Sequence, residues 1–139
     1  MIKKIAQIQE VMRKRKELMR QEAEATEPML TDYTLIPTIY AYFCEMFPVK
    51  QDQRNEVRRR REFMFVCIIL FHPRTLLQKR TKAELLEAWC ELFPNVSRTR
   101  LSHDKENILA YYKIYKDFRE HVVKAYNHII HRLLTQDKA

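Results

Sequence analysis

Five hydrogen-bonding side chains lie within six residues of each other, directly after a serine that can begin a helix. The stretch reads VSRTRLSH, from Val96 to His103. An arginine can bind guanine through two hydrogen bonds, serine and threonine can reach bases or phosphates, and a helix start favours a phosphate. The alternative is a solvated helix start that is simply capped by Ser97. The candidate contacts to DNA bases are Arg98, Thr99, Arg100, Ser102 and His103.

Two basic segments precede this stretch. One is the run of four arginines from Arg58 to Arg61, and the other is RTLLQKR, from Arg74 to Arg80. Phosphate contacts made by lysine and arginine supply most of the affinity for nucleic acid, whereas base contacts supply selectivity. A run of arginines is also typical of a solvated helix face or of a localisation signal. The candidate phosphate contacts are Arg59, Arg60, Arg74, Lys79 and Arg80.

Side chains for catalysis or metal binding are sparse. His103 and Asp104 are adjacent, and adjacent residues on a helix point about 100° apart, so they form no catalytic pair by themselves. His128 and His131 can share a helix face, but no third or fourth metal ligand is evident near them. The chain has no glycine, which excludes glycine-rich phosphate loops and dinucleotide fingerprints. We expect no enzyme, no metal, no cofactor and no small-molecule substrate.

The composition favours a polyanionic partner. The net charge is +8, from 26 Lys and Arg against 18 Asp and Glu, and such a balance suits DNA, RNA or an acidic membrane surface. The longest apolar run, FMFVCIILF, is about half as long as a membrane span needs, so we expect no membrane insertion. Cys44, Cys67 and Cys90 lie far apart in apolar segments, which is typical of buried thiols in a reducing compartment. We therefore expect a cytoplasmic protein.

Hydrophobic periodicity predicts an all-α protein in which a charged helical arm, residues 1–27, precedes a single helical domain, residues 28–139. Within the arm, a charged helix is predicted from Ile2 to about Ala25, and Pro28 follows its end. Its apolar stripe is too narrow for a helix that folds alone, so the arm either docks on a partner or is mobile. In the domain, Gln53 to Leu70 is predicted to be a helix with a solvated first half and a second half buried all round. A central strand is the alternative for FMFVCIIL, because periodicity cannot separate the two in a short run.

Two predicted helices meet at the turn formed by Pro94 and Asn95. The first starts at Thr81 or Lys82, ends at Phe93, and carries Thr81 and Glu84 in the positions of a capping box. The second starts at Ser97.

This pair resembles a helix-turn-helix over about residues 82–112. The family's recognition helix opens with the pattern V-S-x-x-x-V/L-S, which is matched here by Val96, Ser97, Leu101 and Ser102. The chain is similar, more loosely, to the DNA-binding domain of the bacterial replication initiator DnaA and to the Trp-repressor-like group. It departs from the pattern in the turn, where the family usually has glycine. In this arrangement Val96 and Leu101 would face inward and anchor the second helix to the first. The resemblance implies that the first turns of the second helix enter the major groove.

Apolar residues recur in alternating steps of three and four from Ile108 to Leu133, as they do in a coiled-coil seam. A continuous helix from Ser97 to about Leu134 would be on the order of 50 Å long, so part of it projects, pairs with a second copy, or is interrupted. We expect a homodimer through this seam, since a two-fold dimer presents two recognition helices to half-sites about one turn apart.

The sequence therefore predicts a double-stranded DNA-binding protein of a transcriptional type, or of a replication or mobile-element accessory type. It would read the major groove with the helix that starts at Ser97. The alternative is a non-enzymatic helical adaptor whose terminal helices bind other protein subunits, with basic residues only incidentally near nucleic acid.

Overall fold

The computed structural model describes residues 1–47, 53–78 and 80–136, and gives only the backbone of Gln53 and Arg54. The prediction of an all-α fold is confirmed, since the described residues form helices and no strand. Two short 3₁₀ turns, Tyr33–Leu35 and Pro73–Leu76, join longer helices. The α-helices are α1 (Ile2–Ala25), α2 (Ile36–Met46), α3 (Gln53–Phe71), α4 (Ala83–Leu92), α5 (Arg98–Ile114) and α6 (Lys116–Gln136).

Helix α3 forms the centre of the domain. Its second half, from Phe63 to Phe71, is almost entirely buried, and α2, α5 and α6 pack against the helix. FMFVCIIL is a helix and not the alternative strand. A helix that is apolar all round needs neighbours on every side, and these three helices supply them. The first half differs from the prediction of a solvated face, because Arg60 and Glu62 are buried there.

The C-terminal segment is interrupted at Tyr115, which has an extended backbone between α5 and α6. The guanidinium of Arg119 donates to the carbonyl oxygens of Tyr112 and Lys113 at 3.2 and 3.0 Å, so it satisfies two carbonyls at the end of α5. Helix α6 then packs against α2, α3 and α5. Of the three outcomes expected for this segment, interruption is the one found.

The seam predicted as a dimer interface lies in the core of its own chain. Ile108, Phe118, Val122 and Ile129 are all buried there. A second copy cannot pack on side chains that α3 and α2 already cover, so the structure gives no support to a homodimer through this seam.

Helix α1 lies outside that core, and none of its residues is buried. It is attached at its C-terminal end, where Arg74 contacts the carboxylate of Glu22 at 3.0 Å and the hydroxyl of Thr26 at 3.4 Å. The backbone amides of Met29 and Leu30, just beyond the helix, donate to the carbonyl of Leu70 at 3.1 and 2.9 Å. The division into an arm and a domain at residue 27 remains a prediction.

Candidate nucleic-acid interface

Helices α4 and α5 pack against each other through buried apolar residues. Leu85 and Trp89 of α4 and Leu101 of α5 are fully buried, and Val96 is half-buried against the same core. The amide of Val96 donates to the carbonyl of Phe93 at 3.0 Å, which closes the turn between the helices. The inward roles expected for Val96 and Leu101 are therefore confirmed.

Ser97 begins α5 as predicted. Its backbone is extended, and its Oγ accepts a hydrogen bond from the amide of Arg100 at 3.1 Å. This bond satisfies one of the amides that a helix start leaves without an intrahelical partner. The preceding helix starts differently from the prediction: α4 begins at Ala83 after Lys82, whose side chain makes no capping bond. The Thr81 and Glu84 box is thus replaced by an uncapped start one residue later.

The candidate base contacts lie on the first two turns of α5. Arg98, Thr99, Arg100 and His103 are exposed, whereas Ser102 is half-buried. At about 100° per residue, Thr99 and His103 point directly away from the side of the helix on which Leu101 is buried. Arg98 and Arg100 lie on opposite sides of the helix, about 60° and about 100° from Leu101, so both are nearer to the buried side than Thr99 and His103 are.

A carboxylate limits the length of this outer face. Glu106 is exposed, and it follows Thr99 and His103 at the helical spacing that keeps all three on one side. A negative charge there would lie against the phosphates of a duplex. The surface suited to DNA is therefore confined to about the first two turns of α5.

Asp104 is buried beneath this surface and holds two arginines of α3. Its side chain is 0% exposed, and its Oδ2 accepts from Nη2 of Arg60 at 2.7 Å and from Nε of Arg60 at 3.2 Å. Its Oδ1 accepts from Nε of Arg61 at 3.3 Å and lies 4.0 Å from Nε of Arg100. From the sequence, Asp104 was considered only as a catalytic neighbour of His103, although its position three residues after Leu101 and four before Ile108 places it on the inward stripe of α5.

A second buried carboxylate holds the remaining candidate of the arginine run. Glu62 is buried, accepts from Nη1 of Arg59 at 2.8 Å, and lies 3.1 Å from Nδ1 of His121 on α6. Arg59 also lies over the ring of Phe47, 4.3 Å from its centre. Burial raises the pKa of Glu62, while the charges of Arg59 and His121 act against that rise.

The predicted phosphate contacts are therefore dispersed. Arg60 is buried and pairs with Asp104 of α5. Arg59 pairs with Glu62 of its own helix, and its Nη1 lies 3.0 Å from Nδ1 of His121 on α6. Arg74 is exposed but pairs with Glu22 of α1, and Arg80 is exposed. Lys79 lies outside the described residues. Arg59, Arg60 and Arg74 are therefore engaged with different parts of the fold and do not share one set of partners.

The two other arginines of the run face a cleft at the junction of α5 and α6. Arg58 and Arg61 line a cavity of about 890 Å³ together with Tyr111, Tyr115 and Lys116. The guanidinium of Arg61 lies 5.0 Å from the centre of the Tyr111 ring. Sequence reasoning did not select these arginines because consecutive residues of one run carry no local signal of which helix each will face.

No family model matches the chain, and no curated protein or solved structure matches it. The helix-turn-helix resemblance therefore remains a prediction. Among the residues that the structure describes, no helix combines the length and apolarity needed to cross a bilayer. The same residues contain no group of three or more His, Cys, Asp or Glu side chains that could hold a metal ion.

Proposed function

We propose that this chain is a double-stranded DNA-binding protein that inserts the first two turns of α5 into the major groove. One observation carries the proposal: Arg98, Thr99, Arg100 and His103 are exposed together at the start of a helix anchored by Leu101. Base edges in the major groove present mainly acceptors on guanine, which arginine recognises through two donors. A rigid helix start that presents only such side chains fits the docking of a recognition helix.

The outer face divides into two kinds of contact. Thr99 and His103 point straight outward and suit base edges, while Arg98 and Arg100 on the flanks can reach a base or a phosphate. Phosphate contacts release counterions, so we expect binding that weakens steeply with salt. A role in transcription, in replication or in a mobile element is compatible with this mode of binding. The three free cysteines fit a reducing cytoplasm.

The test is the binding of a labelled random duplex, measured by fluorescence anisotropy at several salt concentrations. For Arg98→Ala/Arg100→Ala we expect an affinity loss of more than about tenfold near 0.1 M salt, and a salt slope lower by roughly two. Arg13→Ala/Arg20→Ala is the matched control, because it removes the same two charges from exposed ion pairs on α1. The proposal fails if the wild type does not bind at low salt, or if the α5 variant binds like the control.

A second candidate, a helical assembly protein, is favoured by the exposed apolar stripe of α1. Ile8, Val11 and Met12 line a shallow groove on this helix, and Lys4 and Arg15 stand beside them. The charges on the opposite face pair with each other, as Arg20 does with Glu17 and Glu24. Apolar side chains flanked by unopposed basic ones fit a partner helix that has an apolar stripe with acidic flanks.

A synthetic amphipathic peptide with glutamate flanks tests this candidate. We expect it to bind the wild type and to lose binding to Ile8→Asp/Met12→Asp, while Gln9→Asp/Gln21→Asp, which adds the same charge elsewhere on α1, retains it. Light scattering of the full chain shows whether a second copy of the chain, and not a different protein, binds the apolar stripe of α1. If the chain self-associates through α1 and ignores the peptide, the stripe binds a second copy. The predicted homodimer would then use α1 and not the buried C-terminal seam.

A further inference from the structure

Three guanidinium groups lie around the buried carboxylate of Asp104. Those of Arg60, Arg61 and Arg100 lie within 4.0 Å of its oxygens, and their side chains are 10%, 26% and 56% exposed. One negative charge therefore faces three positive charges in a partly desolvated place. Desolvated charges are stable only when they are paired, and none of the three arginines has a second carboxylate among its described ion pairs.

Arg61 and Arg100, the two more exposed arginines, approach the same oxygen of Asp104. Nε of Arg61 and Nε of Arg100 lie 3.3 and 4.0 Å from Oδ1 of Asp104. A guanidinium has five N–H donors in a planar fork, and the contact with Asp104 occupies few of them. The Tyr111 ring under Arg61 restricts its motion further. Of the two, only Arg61 is held by a hydrogen bond to Asp104, whereas Arg100, at 4.0 Å, is held by charge alone. Two guanidinium groups beside one oxygen can donate to one tetrahedral anion.

We propose that Arg61 and Arg100 form a clamp for one phosphodiester group of bound DNA, with Asp104 as the positioning residue that holds both. This inference rests on the proposed function and deepens it, because it moves Arg100 from the base contacts to the backbone contacts and adds Arg61. Arg100 lies on the flank of α5 that faces α3, where a strand of the duplex would run beside the groove.

The surroundings of the clamp suit a single anion. Arg58 and Lys116 line the adjoining cleft with Arg61, so the local charge stays positive. Asp117 also lines that cleft and offsets part of the charge. The cleft beside Arg61 therefore carries a net positive charge.

Duplex binding by single variants tests the clamp. We expect Arg61→Ala to lower the affinity about eightfold near 0.1 M salt and to reduce the salt slope by about 0.9, which is the effect of losing one phosphate contact. Arg100→Ala should do the same, and the double variant should lose little more than either single one, because both side chains hold one phosphate. Arg13→Ala on α1 is the control with the same change of charge.

A second measurement is independent of variants. NMR signals of the arginine Nε–Hε groups are followed in the wild type during titration with inorganic phosphate. We expect those of Arg61 and Arg100 to shift together and to saturate, while that of Arg13 does not. Thermal melting of Arg61→Ala shows whether the variant is folded, and Arg61→Lys, which keeps the charge but not the fork, should recover only part of the affinity.

The outcomes separate the clamp from the proposed function. If the wild type binds duplex and Arg98→Ala weakens binding while Arg61→Ala matches Arg13→Ala, the clamp is wrong and the proposed function stands. If the wild type binds no duplex, both are wrong. In that case, NMR signals of Arg61 and Arg100 that shift and saturate on addition of inorganic phosphate would show that the two arginines bind a free phosphate group.

Discussion

Replacing Asp104 by asparagine should destabilise the fold more than any surface substitution in α5. The change keeps the size of the side chain and removes the charge that compensates Arg60, whose side chain is 10% exposed. Removing one partner of a buried ion pair leaves the other charge desolvated, which costs about 3–5 kcal/mol. Arg61 is 26% exposed and regains solvation more easily, so we expect about 3 kcal/mol, the lower end of that range.

The assay is urea denaturation followed by circular dichroism, with the slope compared between variants to check two-state behaviour. Glu106→Gln is the matched control, since it neutralises an exposed carboxylate two residues further along the same helix. We expect the control to change the free energy of unfolding by less than about 0.5 kcal/mol. Arg60→Met in the Asp104→Asn background should restore part of the loss. A loss below about 1 kcal/mol for Asp104→Asn, with no response to Arg60→Met, would refute the account of this pair as a buried contact.

Three further predictions concern caps, thiols and pH. Ser97→Ala should lower the free energy of unfolding by about 1 kcal/mol, measured by thermal melting, because the amide of Arg100 loses its partner. Burial raises the pKa of the Cys67 thiol to about 12, so Ellman's reagent at mild alkaline pH should modify Cys67 only after unfolding, and early reaction in the native state would contradict its burial. Burial also raises the pKa of Glu62 above its ordinary value of 4.5, so the folded state holds this proton more tightly than the unfolded chain does. The wild type should therefore lose stability relative to Glu62→Gln as pH rises from 4.5 through the folded pKa, and urea midpoints that stay parallel across this range would contradict the shift.

The parts of the fold that could be predicted depend on signals within a few residues. The charged helix from Ile2 to Ala25 has the predicted bounds, because helical periodicity and the break before Pro28 are both local. Ser97 and Leu101 have the predicted roles for the same reason: a cap and an apolar anchor are defined by their own helix. The burial of α3 follows from an apolar run that no solvated helix could carry.

The parts that could not be predicted depend on partners far along the chain. Four consecutive arginines on a helix point in four directions, and which of them is buried depends on where a carboxylate lies on another helix. Arg60 meets Asp104 at a separation of 44 residues, and no local pattern announces that pairing. The break at Tyr115 is similar, because the segment has no proline or glycine there, and a side chain from the next helix satisfies the free carbonyls.

These ion pairs reduce the part of the net charge of +8 that is available to bind DNA. Asp104 draws Arg60 inward, and Arg59 pairs with Glu62 of its own helix and contacts His121 of α6, so these two residues of the basic run are engaged within the fold. The case for DNA therefore depends on the few cations that remain exposed at the start of α5, and on the arginines that a buried carboxylate orients toward solvent. For this reason Arg98 is a sharper probe than the whole basic run: its exposed side chain makes no described ion pair, so its removal should change binding without changing the fold.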